Sequence, residues 1–137
     1  MPDMKIFDKS MVLLQKVLDL RLQNQQVIAS NIANADTPGY SSVHLKFEEE
    51  LQKAAAIPEK SPVKTHNTHF PINGGNLESV QAKLVRTPSK SGIGDGNSVK
   101  VDQEMVSLAE NQLLYEAAVQ ILNKKLGLLK YVSQGGR

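Results

Sequence analysis

The ends of this chain are helical by pattern, and its middle cannot hold a long helix. Phe7, Met11, Leu14, Leu18, Arg21, Gln25, Ile28 and Ile32 recur at alternating spacings of four and three, a heptad seam with two polar positions in its centre. Met105, Leu108, Gln112, Tyr115, Val119, Leu122, Leu126 and Leu129 repeat that spacing near the other end. Between them Pro58, Pro62, Pro71 and Pro88 interrupt the chain, and proline inside a helix removes a hydrogen bond and clashes with the preceding turn. The expected fold is mainly α. Two long terminal helices pair as a coiled-coil-like hairpin, residues 1–40 with 99–137, and residues 41–98 form an irregular segment with short β-strands.

Asp8 and Asp102 are good N-cap residues, so the helices are expected to start near residue 9 and at Gln103. Each carries a second stripe beside its seam: Leu13, Val17, Leu20, Asn24 and Val27 on the first, Leu114, Ala118, Ile121, Leu128 and Val132 on the second. Arcs this wide exceed what one partner helix covers. The middle segment has too few large apolar residues to cover more than one side, so the remaining arcs are expected to face other chains. Within that segment Phe47, Leu51 and Ala54 or Ala55 share a face of a short helix, Asn73-Gly74 is a tight-turn signal, and Gln81 to Arg86 alternates as one edge strand.

The first helix ends at a built corner. Pro38 presets φ at the second position of a turn, Gly39 supplies the positive φ that a type II turn needs at the third, and Thr37, before proline, leaves the helical region. The helix therefore stops by about Ala35. Ala29, Ser30, Ala33 and Ala35 are small enough to let another backbone approach, and Asn31, Asn34 and Asp36 can bind freed backbone groups.

No enzyme is expected. His66 and His69 lie three apart between prolines without an acidic third ligand; Ser91 to Asn97 has the glycines of a phosphate cradle but no following lysine, and reads as a flexible loop. Consecutive Glu48, Glu49 and Glu50 splay apart on a helix, and no nucleophile elbow occurs. Cofactors and metals are accordingly expected to be none. A net charge of +2 with scattered Lys and Arg excludes a nucleic-acid footprint, and no small-molecule substrate is implied. The chain has no cysteine, no apolar run of about 18 residues and no Sec-type signal pattern.

Ser30-Asn31-Ile32-Ala33-Asn34-Ala35-Asp36-Thr37-Pro38-Gly39-Tyr40 resembles the N-terminal signature of the axial proteins of the bacterial flagellum: rod, hook and hook-associated subunits. The C-terminal run from Val99 to Gln120 narrows the resemblance to rod proteins of the proximal type, while the middle matches no motif. The resemblance implies a structural subunit of the basal-body rod that polymerises through its terminal helices and transmits torque. It also implies passage through the type III export apparatus without signal cleavage and assembly in the periplasm. Its implied partners are copies of itself, other rod subunits, and the membrane-ring base with its adaptor subunit. The eleven motif residues are the implied subunit contacts. Met11, Leu14, Leu18, Ile28, Met105, Leu108, Tyr115, Val119, Leu122, Leu126 and Leu129 are the expected helix-packing set. A sister rod subunit and a monomeric helical adaptor are the competing readings; a small hydrolase or nucleotide-binding enzyme has least support.

Overall fold

Residues 3–55, 77, 80–88 and 94–135 are described by the computed structural model, with side chains from residue 9 onward. The order of elements is α1 (Asp3–Ala33), β1 (Val43–Lys46), α2 (Glu48–Ala55), β2 (Lys83–Arg86) and α3 (Val101–Ser133). The fold is mainly helical, with the two long helices in contact and a small antiparallel sheet between them in sequence. At 1.5 Å per residue α1 and α3 span about 46 and 50 Å.

Both helix starts differ from the sequence expectation. α1 begins at Asp3, upstream of Asp8. α3 begins at Val101, and its N-cap is Lys100 in an extended conformation with no side-chain cap; Asp102 and Glu104 lie in the first turn instead. Acidic residues there favour the positive end of the helix dipole without occupying the cap position. The corner turn arrives as expected: Gly39 has φ 72, and the Tyr40 amide donates to the Thr37 carbonyl at 3.2 Å, closing the four-residue turn around Pro38 and Gly39.

β1 and β2 pair antiparallel with Val43 opposite Arg86 and Leu45 opposite Leu84. The expected strand at 81–86 is thus present from Lys83, and its partner is the four-residue alternation Val43-His44-Leu45-Lys46, too short for periodicity to distinguish. A small apolar core forms where this unit meets α1: Leu20, Phe47 and Val80 are buried together, with Leu45, Leu51, Ala54 and Ala82 against them. Arg21 closes the edge of that core. Its guanidinium stacks 5.0 Å above the Phe47 ring and bonds Glu48 at 3.0 Å, so α1 and the start of α2 are tied by both apolar and ionic contacts. The Asn73-Gly74 turn, the His66–His69 pair and the side chain of Phe7 lie outside the described residues.

Candidate functional site

Asn31, two residues before the end of α1, is the hub of the molecule. It is 0% exposed and uses its whole amide. Its Nδ2 donates to the Val43 carbonyl at 2.7 Å and to Glu104 Oε2 at 3.1 Å; its Oδ1 accepts from the Val43 amide at 2.9 Å and from the Tyr40 hydroxyl at 3.3 Å. An Asn side chain has two donors and two acceptor sites, so nothing is left unsatisfied. One residue thereby joins the end of α1, the corner, the first strand and the first turn of α3. Glu104 is itself buried, and its other oxygen lies 4.0 Å from His44 Nε2 on β1.

A second clasp holds the corner from outside. The Asn97 amide Nδ2 shares its two hydrogens among the carbonyls of Asn34, Ala35 and Thr37 at 2.9, 2.7 and 2.9 Å, just beyond the end of α1. The Gly39 amide donates to the Asp95 carbonyl at 2.8 Å, and the Ser98 amide to the Tyr40 carbonyl at 3.0 Å. Residues 94–97, expected as a flexible loop, are docked along the corner instead: Gly94 and Gly96 hold positive φ, and a Cβ on Gly96 would stand 3.6 Å from the Gly39 backbone. The Gly-Asp-Gly-Asn string carries the turn chemistry for this, with the Asp95 carboxylate accepting from the Asn97 amide at 3.0 Å. Nothing in the string names its docking partner.

Within the eleven-residue motif, Asn31 is buried, Ile32, Asn34, Ala35 and Tyr40 are half-buried, and Ser30, Ala33, Asp36, Thr37, Pro38 and Gly39 are exposed. Polar contacts inside the chain therefore consume Asn31, Asn34 and Tyr40, while the small and turn residues face outward.

Between the long helices the seam follows a line that sequence reasoning did not choose. The buried residues of α3 are Glu104, Asn111 and Ala118. Asn111 accepts from Asn24 Nδ2 at 3.0 Å and donates to the Arg21 carbonyl at 2.8 Å; Lys125 donates to the Ser10 hydroxyl. Leu108, Tyr115 and Leu122 alternate with these positions and are half-buried, as are Val119, Met11, Leu14 and Leu18; Ile28 is buried. Met105, Leu126 and Leu129, expected in the packing set, are 58%, 46% and 43% exposed and lie off this line. Hydrophobic count favoured them over the buried Glu104 and Asn111 and the half-buried Lys125, whose positions in the seam depend on partners on α1.

The outer side of α3 is apolar and bare. Val106, Leu113, Leu114, Ile121, Leu128, Tyr131 and Val132 are all exposed, and Leu114, Ile121 and Leu128 recur at seven-residue steps beside the seam. Among the described residues, no cluster of His, Asp and Glu could hold a metal ion, and no helix is long and apolar enough to cross a membrane.

Comparison with known proteins points to one source for this arrangement. A family model described as flagella basal body rod protein matches residues 18–40, the second half of α1 with the corner. The chain is similar to the flagellar basal body rod protein FlgB of Salmonella typhimurium, 35% identical over 127 residues that cover 89% of this chain and 91% of the relative. FlgB of Escherichia coli K12 is 33% identical over 127 residues, with the same coverage. FlgB of Bacillus subtilis is 32% identical over 134 residues, covering 98% of this chain and all of that protein.

Proposed function

The chain belongs to the FlgB family of flagellar basal body rod proteins, and we propose that it works as a proximal-rod subunit whose bare α3 face and exposed corner are buried by neighbouring subunits. It is a structural protein, not an enzyme. The observation that carries the contact assignment is the apolar outer side of α3: Val106, Leu113, Leu114, Ile121, Leu128, Tyr131 and Val132 stay exposed while, among the described residues, the helix packs chiefly against α1. Residues 1–40 and 99–137 form the rod core on this reading, and residues 41–98 clothe it. The neighbours are copies of the chain, other rod subunits, and the membrane-ring base with its adaptor. The chain reaches the periplasm through the type III export apparatus and transmits torque by packing alone.

Polymerisation supplies the burial that the lone subunit lacks, which also suits a chain that must be unfolded for export. Ala33, exposed beside the turn, offers a place where a neighbouring backbone comes close. Cells lacking their own copy, complemented with Ile121→Asp or Ala33→Leu, test both contacts. Each variant is expected to be exported and to keep subunit helicity, because both positions are exposed, yet to be absent from purified basal bodies and to abolish swimming. Normal swimming with Ile121→Asp removes the α3 face from the assembly, and normal swimming with Ala33→Leu removes the corner.

A further inference from the structure

Along α1, Ser10, Val17, Asn24 and Asn31 stand at seven-residue steps; along α3, Glu104, Asn111, Ala118 and Lys125 do the same. Three of the four antiparallel rungs these define are hydrogen-bonded, Asn31 to Glu104, Asn24 to Asn111 and Lys125 to Ser10, and the fourth position holds Val17 and Ala118. We propose that this ladder is a register latch: the order polar, apolar, polar, polar along α1 is matched by α3 in one alignment only, so the helices are prevented from sliding by a heptad.

The apolar stripes cannot do this by themselves, because leucines at heptad spacing pack about equally well after a slip of seven residues, whereas a buried amide facing an apolar side chain loses its partner. Sliding α3 one heptad toward the end of α1 leaves Asn31 facing Asn111 but sets Asn24 against Ala118 and Val17 against Lys125, and carries Glu104 beyond the helix. Sliding it the other way sets Asn111 against Val17 and strips Asn31 of Glu104. Each slip therefore strands at least two polar groups that are buried or half-buried in the seam. The Asn31 hub adds direction, since its remaining bonds are to Val43 and Tyr40, which do not move with α3. A polar residue at a core heptad position is the best-attested way to specify register. A held register keeps Leu114, Ile121 and Leu128 at one height relative to the corner, so every copy of the chain presents the same outer face. The latch is a property of the hairpin and stands whether or not the rod reading does.

The chain has no cysteine, so two exposed positions, Gln26→Cys on α1 and Lys124→Cys on α3, can carry spin labels in the full chain, and their separation can be read by double electron–electron resonance. The parent is expected to give one narrow distance. Val17→Asn with Asn24→Val exchanges two rungs on α1 alone; it is expected to abolish that single distance, giving either a population displaced by a seven-residue slip, about 10 Å along the axis, or a broad distribution. Adding Asn111→Ala with Ala118→Asn exchanges the same rungs on α3 and is expected to restore the parent distance and most of the lost denaturation midpoint. An unchanged distance in the first variant overturns the latch. So does a fourfold variant no closer to the parent than the twofold one, an outcome that still decides if the twofold variant unfolds.

Discussion

α1 and α3 have 31 and 33 residues, yet they live in different surroundings. α1 is packed on two sides, by α3 along one and by the Leu20–Phe47–Val80 core along another, and its C-terminal end is clasped by Asn31 and Asn97. Among the described residues α3 packs chiefly on α1, through a seam whose buried residues include a glutamate and an asparagine, and it leaves Leu113, Leu114, Leu126, Leu128 and Leu129 exposed. A helix whose apolar face is covered inside its own chain takes its stability from folding; one whose apolar face is bare takes it from assembly. The subunit thus has a finished helix and an unfinished one.

That contrast can be broken most severely at the hub. Asn31→Leu removes four hydrogen bonds at once and leaves the Val43 amide, the Glu104 carboxylate and the Tyr40 hydroxyl without their buried partner, at about 1–3 kcal/mol for each group left unsatisfied. Equilibrium denaturation should show a loss of several kcal/mol in the sum, shared by both helices; a loss near zero would mean the hub is not what joins them. Phe47→Ala comes next. It should cost about 3 kcal/mol by emptying the core against α1, and native-state hydrogen exchange should show α1 losing protection more than the C-terminal half of α3. Equal losses along both helices would erase the distinction.

Gly39→Val tests the corner with a smaller effect. Nothing stands within 4 Å of where its Cβ would go, so the whole penalty is the strain of a β-branched residue at φ 72, about 1–3 kcal/mol. Gly39→Ala should cost less than Gly39→Val in thermal melting, and an equal or greater cost for Ala would count against β-branched strain at this φ. Leu128→Asp is the smallest. It lies on the bare face, so the isolated subunit should change by no more than about 0.5 kcal/mol, while incorporation into the rod fails. A large loss of subunit stability there would show that α3 has a cover within its own chain.

Most of the architecture was legible because it depends on local rules. Heptad periodicity at both ends, prolines between them and the Pro38-Gly39 pair determine two long helices, no long helix expected between them and a turn with positive φ, and each needs only neighbours within a few residues. The same reasoning located β2 but missed β1, whose four residues become a strand only by pairing with a segment some 40 positions away. It also placed the start of α3 two residues late, because Asp102 is a better cap by type than the Lys100 the fold uses.

What only the tertiary structure decided is which line of α3 turns inward. Judged one residue at a time, Met105, Leu126 and Leu129 are better candidates for burial than Glu104, Asn111 and Lys125, and a sequence pattern has no other way to judge. Burial of a polar group is decided in pairs: Asn31, Asn24 and Ser10 on the facing helix supply the hydrogen bonds that make the polar line admissible. The Asn97 clasp has the same origin, a side chain whose role exists only because the corner, some 60 residues earlier, brings three carbonyls together beside it. Local chemistry determined the elements of this protein, and long-range satisfaction of buried polar groups decided how they face one another.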